Sequence, residues 1–138
     1  MNRRITLLVF AVAAAASPLL AHHEWPVDQT KQVTVQGTVT AFTWANPHVM
    51  IALDVQANGT IEKWTVGGSS PQFMTTCGWD KKKLKPGDVI TVTGYRYKDG
   101  SNAALMQTIL MPSGKEMYYG APPTRASACV PPERRTEN

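Results

Sequence analysis

The sequence predicts an all-β domain with one short helix, built as a five-stranded OB-type Greek-key barrel. Three observations carry that expectation. Alternating apolar and polar residues mark three strands between residues 32 and 66. A helix start follows at Ser70-Pro71. Two further alternating runs complete the domain by residue 111. Three strands, a helix and two strands is the OB order, and a β-sandwich would want about seven strands.

In the first strand, from Gln32, Val33, Val35, Gly37, Val39 and Ala41 alternate with Thr34, Gln36, Thr38 and Thr40. Gly37 suits a bend or bulge in a coiled strand. Trp44-Ala45-Asn46-Pro47 ends the run, because proline lacks a donor and restricts its neighbour. The second strand sets Val49, Ile51, Leu53 and Val55 on one face and His48, Met50, Ala52 and Asp54 on the other. Asn58-Gly59 is a hairpin turn signal, and residues 61–66 form the third strand. The helix is expected through Thr76, stopping near Gly78. Lys81-Lys82-Lys83 reads as a solvated turn, and Lys85-Pro86-Gly87-Asp88 as a tight one before strand 89–97. Asp99-Gly100 then leads into strand 104–111. Trp64 and Trp79 read as packing residues.

Four segments follow from this layout: a signal peptide over 1–21, an extension over 22–31, the barrel domain over 32–119, and a Pro-rich tail over 120–138. The leader has Arg3-Arg4, a dozen or so apolar residues and a small residue at its end. Pro18 and His22-His23-Glu24 cut the apolar run below the ~20 residues of a membrane span, so no stable anchor is expected after processing. Cleavage after Ala21 and cleavage after Ala16 both fit, with Ala21 preferred. The expected address is the periplasm or the exterior. Without Arg3 and Arg4, twelve basic residues face ten acidic ones, a net charge of +2. That is too mild for a nucleic-acid partner, which needs a clustered basic face. Cys77 and Cys129, in an oxidising compartment, are expected to form one disulfide pinning the tail to the domain.

The chain resembles a family of exported bacterial proteins known only as a domain of unknown function. The resemblance runs from His22 to about Met111. Its pieces are Ala21-His22-His23, Gly37-Thr38-Val39, Trp44-Ala45-Asn46-Pro47-His48, Gly67-Gly68-Ser69-Ser70-Pro71, Cys77-Gly78-Trp79 and Leu84-Lys85-Pro86-Gly87-Asp88. The cysteine pair and the tail lie outside that pattern. The resemblance implies fold and address, and no activity.

The three histidines, His22, His23 and His48, are the candidate metal ligands. Cleavage after Ala21 makes His22 the N-terminus, so its α-amine and imidazole chelate together. A second imidazole from His48 completes a nitrogen set suited to Cu(II), and the Met50 thioether would favour Cu(I). Copper is thus the expected cofactor, and a metal ion the expected partner. Reach is the difficulty: residues 24–31 extend about 26 Å, and the first strand is comparable or longer at about 3.3 Å per residue. The terminus meets His48 only if that strand coils. The competing reading is a metal-free module for a small ligand or an envelope protein, using Trp44, Asn46, Tyr95 and Tyr97 around the loops that flank OB binding surfaces. No nucleophile–histidine–acid order presents itself, so binding is expected rather than catalysis.

Overall fold

The structure, a computed structural model, describes residues 25–119 and Cys129. Six strands and one helix occur in the order β1 (Val27–Thr43), β2 (Met50–Ala57), β3 (Thr60–Gly67), α1 (Pro71–Thr76), β4 (Val89–Tyr97), β5 (Ala103–Leu110) and β6 (Glu116–Tyr118). The antiparallel ladder runs β3-β2-β1-β4-β5-β6, and a parallel pairing of β3 with β5 joins its two sides. The five long strands therefore close into a ring of OB-type order.

The ring closes because β1 serves two partners. Residues from Gln32 to Thr38 pair with β4, and Thr38 to Thr43 pair with β2. The register slips between Val39 and Ala41, where the strand turns from one neighbour to the other. Gly37, expected at the bend, instead lies two residues before the slip. A β-carbon there would come within 2.9 Å of the Asp54 carbonyl oxygen and of a Val55 methyl, so its role is close approach between strands.

The alternation in β2 is the clearest link from sequence to core. Val49, Ile51, Leu53 and Val55 are buried, while Ala52 and Asp54 look outward. Trp64 and Val66 from β3, Ile90 and Val92 from β4, and Ala104, Met106 and Ile109 from β5 fill the same interior. Trp64 and Trp79 are both buried, as their packing role requires. At Asn58-Gly59 both residues adopt positive φ, 50° and 79°, the backbone that a two-residue hairpin with right-handed strand twist demands. Ser70 caps α1, its Oγ accepting from Phe73 N–H at 3.4 Å, and Pro71 takes the first helical position. Met74 is the helix's fully buried residue.

Three features differ from expectation. The first strand begins at Val27, five residues before Gln32, because Val27 pairs with Tyr97 across a register slip. Residues 27–31 are mostly exposed and carry no alternation, so no periodic signal marks them. The fifth strand spans Ala103–Leu110 rather than 104–111. A sixth strand, absent from the five-stranded expectation, pairs Glu116–Tyr118 with the later half of β5. Three residues are too few to show a period. Cys77, at the C-cap of α1, forms the expected disulfide with Cys129, at a Cα–Cα separation of 5.1 Å. The leader, His22, His23 and the rest of the tail lie outside the described residues. Among the described residues, no helix is long and apolar enough to cross a membrane.

Candidate functional site

The site is built from the two flanks of β1. Extended, the 17 residues of that strand would cover about 56 Å at 3.3 Å per residue. Yet Trp25, just before it, and His48, just after it, have ring centroids 4.6 Å apart. The coil of β1 around the ring of strands brings them together.

Each side chain is held by identifiable bonds. The N-terminal segment is fixed to the end of β4: Val27 pairs with Tyr97, and Lys98 N–H donates to the Pro26 carbonyl at 2.8 Å. The loop bearing His48 contains a cis Asn46-Pro47 bond. That loop is stitched to the segment after β3, where Val49 N–H donates to Ser69 O at 2.9 Å and Gly68 N–H to Val49 O at 2.8 Å. Trp25 covers Gly67, and Tyr97 stands edge-on to the indole with centroids 6.2 Å apart. Trp25, His48 and Tyr97 thus form one half-buried aromatic cluster at the end of β4.

The electrostatics are those of an apolar rim. His48 Nδ1 is buried and has no hydrogen-bond partner among the described residues. A backbone carbonyl or carboxylate usually claims one nitrogen of a half-buried histidine, and none of the described residues does so here. Burial, with a smaller push from the Asp99 carboxylate, raises the Tyr97 phenol above its ordinary range.

The sequence-derived candidates divide between places. Tyr97 joins His48 through Trp25. Tyr95 is half-buried on β4, packed against the core and opposite Gln32 and Leu105 in its neighbours. Trp44 packs against Phe42, with ring centroids 5.8 Å apart and planes tilted by 59°, and Asn46 is exposed in the loop. Met50 is half-buried between Thr43 and Gly67 in the ladder. Among the described residues, no three His, Cys, Asp or Glu side chains gather as a metal site. Trp25 belongs to the site and escaped the sequence reading, and Gly67, which it covers, stood there only as part of a loop motif. The available signal was a tryptophan in an otherwise polar extension, with no period to say what it would touch.

The closed strand order defines a small OB-type domain with an aromatic cluster at the end of β4. The chain belongs to a family of unknown function (DUF6152), whose model matches residues 9–107. No curated protein matches it. Among solved structures, it is similar to the ZRD-deleted mutant of TiaS in complex with agmatine, at 19% identity and TM-score 0.44, over 62% of this chain and 22% of that one. It is also similar to TiaS in its complex with a transfer RNA and ATP, at 18% identity and TM-score 0.45, over 66% of this chain and 20% of that one. A third similar structure is Rim1, a mitochondrial single-stranded DNA binding protein from S. cerevisiae, at 12% identity and TM-score 0.44, over 59% of this chain and 93% of that one. This chain spans about a fifth of the TiaS chains. The strand order, not these likenesses, is the ground for the fold.

Proposed function

We propose that this is a small periplasmic binding protein that takes copper at the rim formed by Trp25, His48 and Tyr97. In this reading, signal cleavage after Ala21 frees the α-amine and imidazole of His22. These bind Cu(II) together with His48, while His23 and the Met50 thioether are auxiliary donors. The observation that carries the proposal is the 4.6 Å approach of the Trp25 and His48 rings. His22 is three residues from Trp25, and three residues of chain span at most about 11 Å. The distance that strand β1 imposed in the sequence reading is therefore removed. A second support is that, among the described residues, no hydrogen bond to Nδ1 locks the His48 ring into its turn. The work is binding; no residue set for turnover is invoked.

The test begins with mass spectrometry of the exported protein, which should give His22 as the first residue. Cu(II) titration followed by electron paramagnetic resonance should then show a nitrogen-rich tetragonal signal. Both His48→Ala and N-terminal acetylation should alter it. A flat titration, or an N-terminus at Ser17, would overturn the proposal.

The aromatic cluster also favours a second reading, a metal-free site for a small flat ligand or an envelope protein, with Tyr97 and Trp25 as the stacking pair. Trp25→Ala would then abolish binding that His48→Ala leaves intact.

A further inference from the structure

A second site lies at the opposite end of β4 and β5 from Tyr97. There the turn before β4 and the turn between β5 and β6 enclose a groove of about 310 Å³. Its walls carry Lys83 and Lys85 on one side and Lys115 and Ser113 on the other. Its floor holds the largely buried methionines Met111 and Met117. The groove is formed by paired backbone: Met111 N–H donates to Lys115 O at 2.9 Å, and Ile109 pairs with Met117. The single acid in its lining, Asp88, is already occupied, accepting from the Lys85 N–H at 3.0 Å and pairing with the Lys85 ammonium at 3.4 Å. Lys83 and Lys115 have no acidic partner among the described residues.

We infer that this groove binds an alkyl phosphate, with the phosphate between Lys83 and Lys115 and the alkyl chain on Met111 and Met117. Two ammonium groups with no acidic partner among the described residues match a phosphate monoester, which carries about −1.5 to −2 charges at neutral pH. Lysine binds phosphate as a point charge, so recognition here would rest on charge rather than on the bidentate geometry that arginine, absent from this lining, would supply. Methionine side chains adapt to an apolar body of irregular shape. The volume is at the small end of ligand pockets, roughly 300–1,000 Å³, which suits a headgroup with a short stretch of chain rather than a large ligand. None of the residues lining this groove belongs to the proposed copper set, so the two readings can fail separately.

The same chemistry can come from a soluble phosphoester or from an anionic lipid, and the experiment separates them. Amide chemical shifts of the full chain are followed in titrations with sodium phosphate and with hexyl phosphate. Saturable shifts are expected at residues 83–88 and 111–117. Hexyl phosphate should bind about tenfold more tightly than sodium phosphate, reflecting partial burial of its chain. The Lys83→Glu/Lys115→Glu variant, whose changes fall on outward-facing turns, should weaken it at least about tenfold, and high salt should act in the same direction. Co-sedimentation of the wild type, but not the variant, with phosphatidylglycerol vesicles would assign the lipid source. Absence of co-sedimentation would assign the soluble one. No saturable shift with hexyl phosphate, or undiminished binding by the variant, overturns the inference.

Discussion

The six-membered ring of Trp25 fills the space over Gly67 that any other residue would use for its β-carbon. Such a carbon would lie 2.6 Å from the ring. Gly67→Ala should therefore push the indole off its seat and cost about 1–3 kcal/mol, the usual penalty for overpacking. In a Trp25→Ala background the same change should cost under about 0.5 kcal/mol, because its clash is gone. Urea denaturation of the four proteins in the cycle reads the coupling directly. An additive result would mean that the indole does not sit on Gly67 in solution.

Tyr119 predicts how stability responds to base. Burial raises its phenol above the ordinary range, and a hydrogen bond with Ser69 opposes this to a lesser degree. A raised folded value means that the neutral phenol is favoured by folding. Its contribution is complete below the unfolded tyrosine range, near 10, and is lost as pH climbs through the higher folded value. Denaturation midpoints should fall above about pH 10, and Tyr119→Phe should flatten that fall relative to wild type. Equal slopes in the two proteins would contradict the assignment.

Trp79 is buried, yet its indole N–H has no partner among the described residues. Trp79→Phe deletes an unsatisfied donor, worth about 1–3 kcal/mol, at the expense of packing lost with the second ring. The two terms nearly cancel, so the variant should lie within about 1 kcal/mol of wild type. Trp79→Ala removes the packing altogether and should cost about 3–5 kcal/mol. Equilibrium unfolding in urea measures both. A Phe variant as damaged as the Ala variant would indicate that the N–H is satisfied in solution.

The Cys77–Cys129 bridge joins residues 52 apart. The chain-entropy model gives about 4 kcal/mol for a loop of that length. Cys77→Ser/Cys129→Ser should lower the denaturation free energy by up to that amount. The strands pair without residue 129, so the variant's far-ultraviolet circular dichroism should be unchanged under native conditions. A lost β spectrum would show that the bridge is required for the fold itself.

The legible parts of this protein are those governed by neighbours in sequence. Val49, Ile51, Leu53 and Val55 announce a buried face by alternation, Asn58-Gly59 announces a turn by backbone tolerance, and Ser70-Pro71 announces a helix by capping. The strand order followed from counting those signals. His48 was legible as a candidate by residue type, but its neighbour was not. Trp25 reaches it only because β1 coils and changes partner near Thr38, a long-range outcome that no window of sequence contains. Residues 27–31 joined a strand through pairing with β4 rather than through any pattern of their own.

That division of β1 between two partners also separates its pairings by their distance along the chain. The half that pairs with β2 meets its hairpin partner almost at once, whereas Gln32 must wait for Tyr95 and Val27 for Tyr97. Until then the leading half is an unsatisfied template for foreign strands. Asp28 and Lys31, with three glutamines along it, give that half the charge and polarity that discourage such pairing.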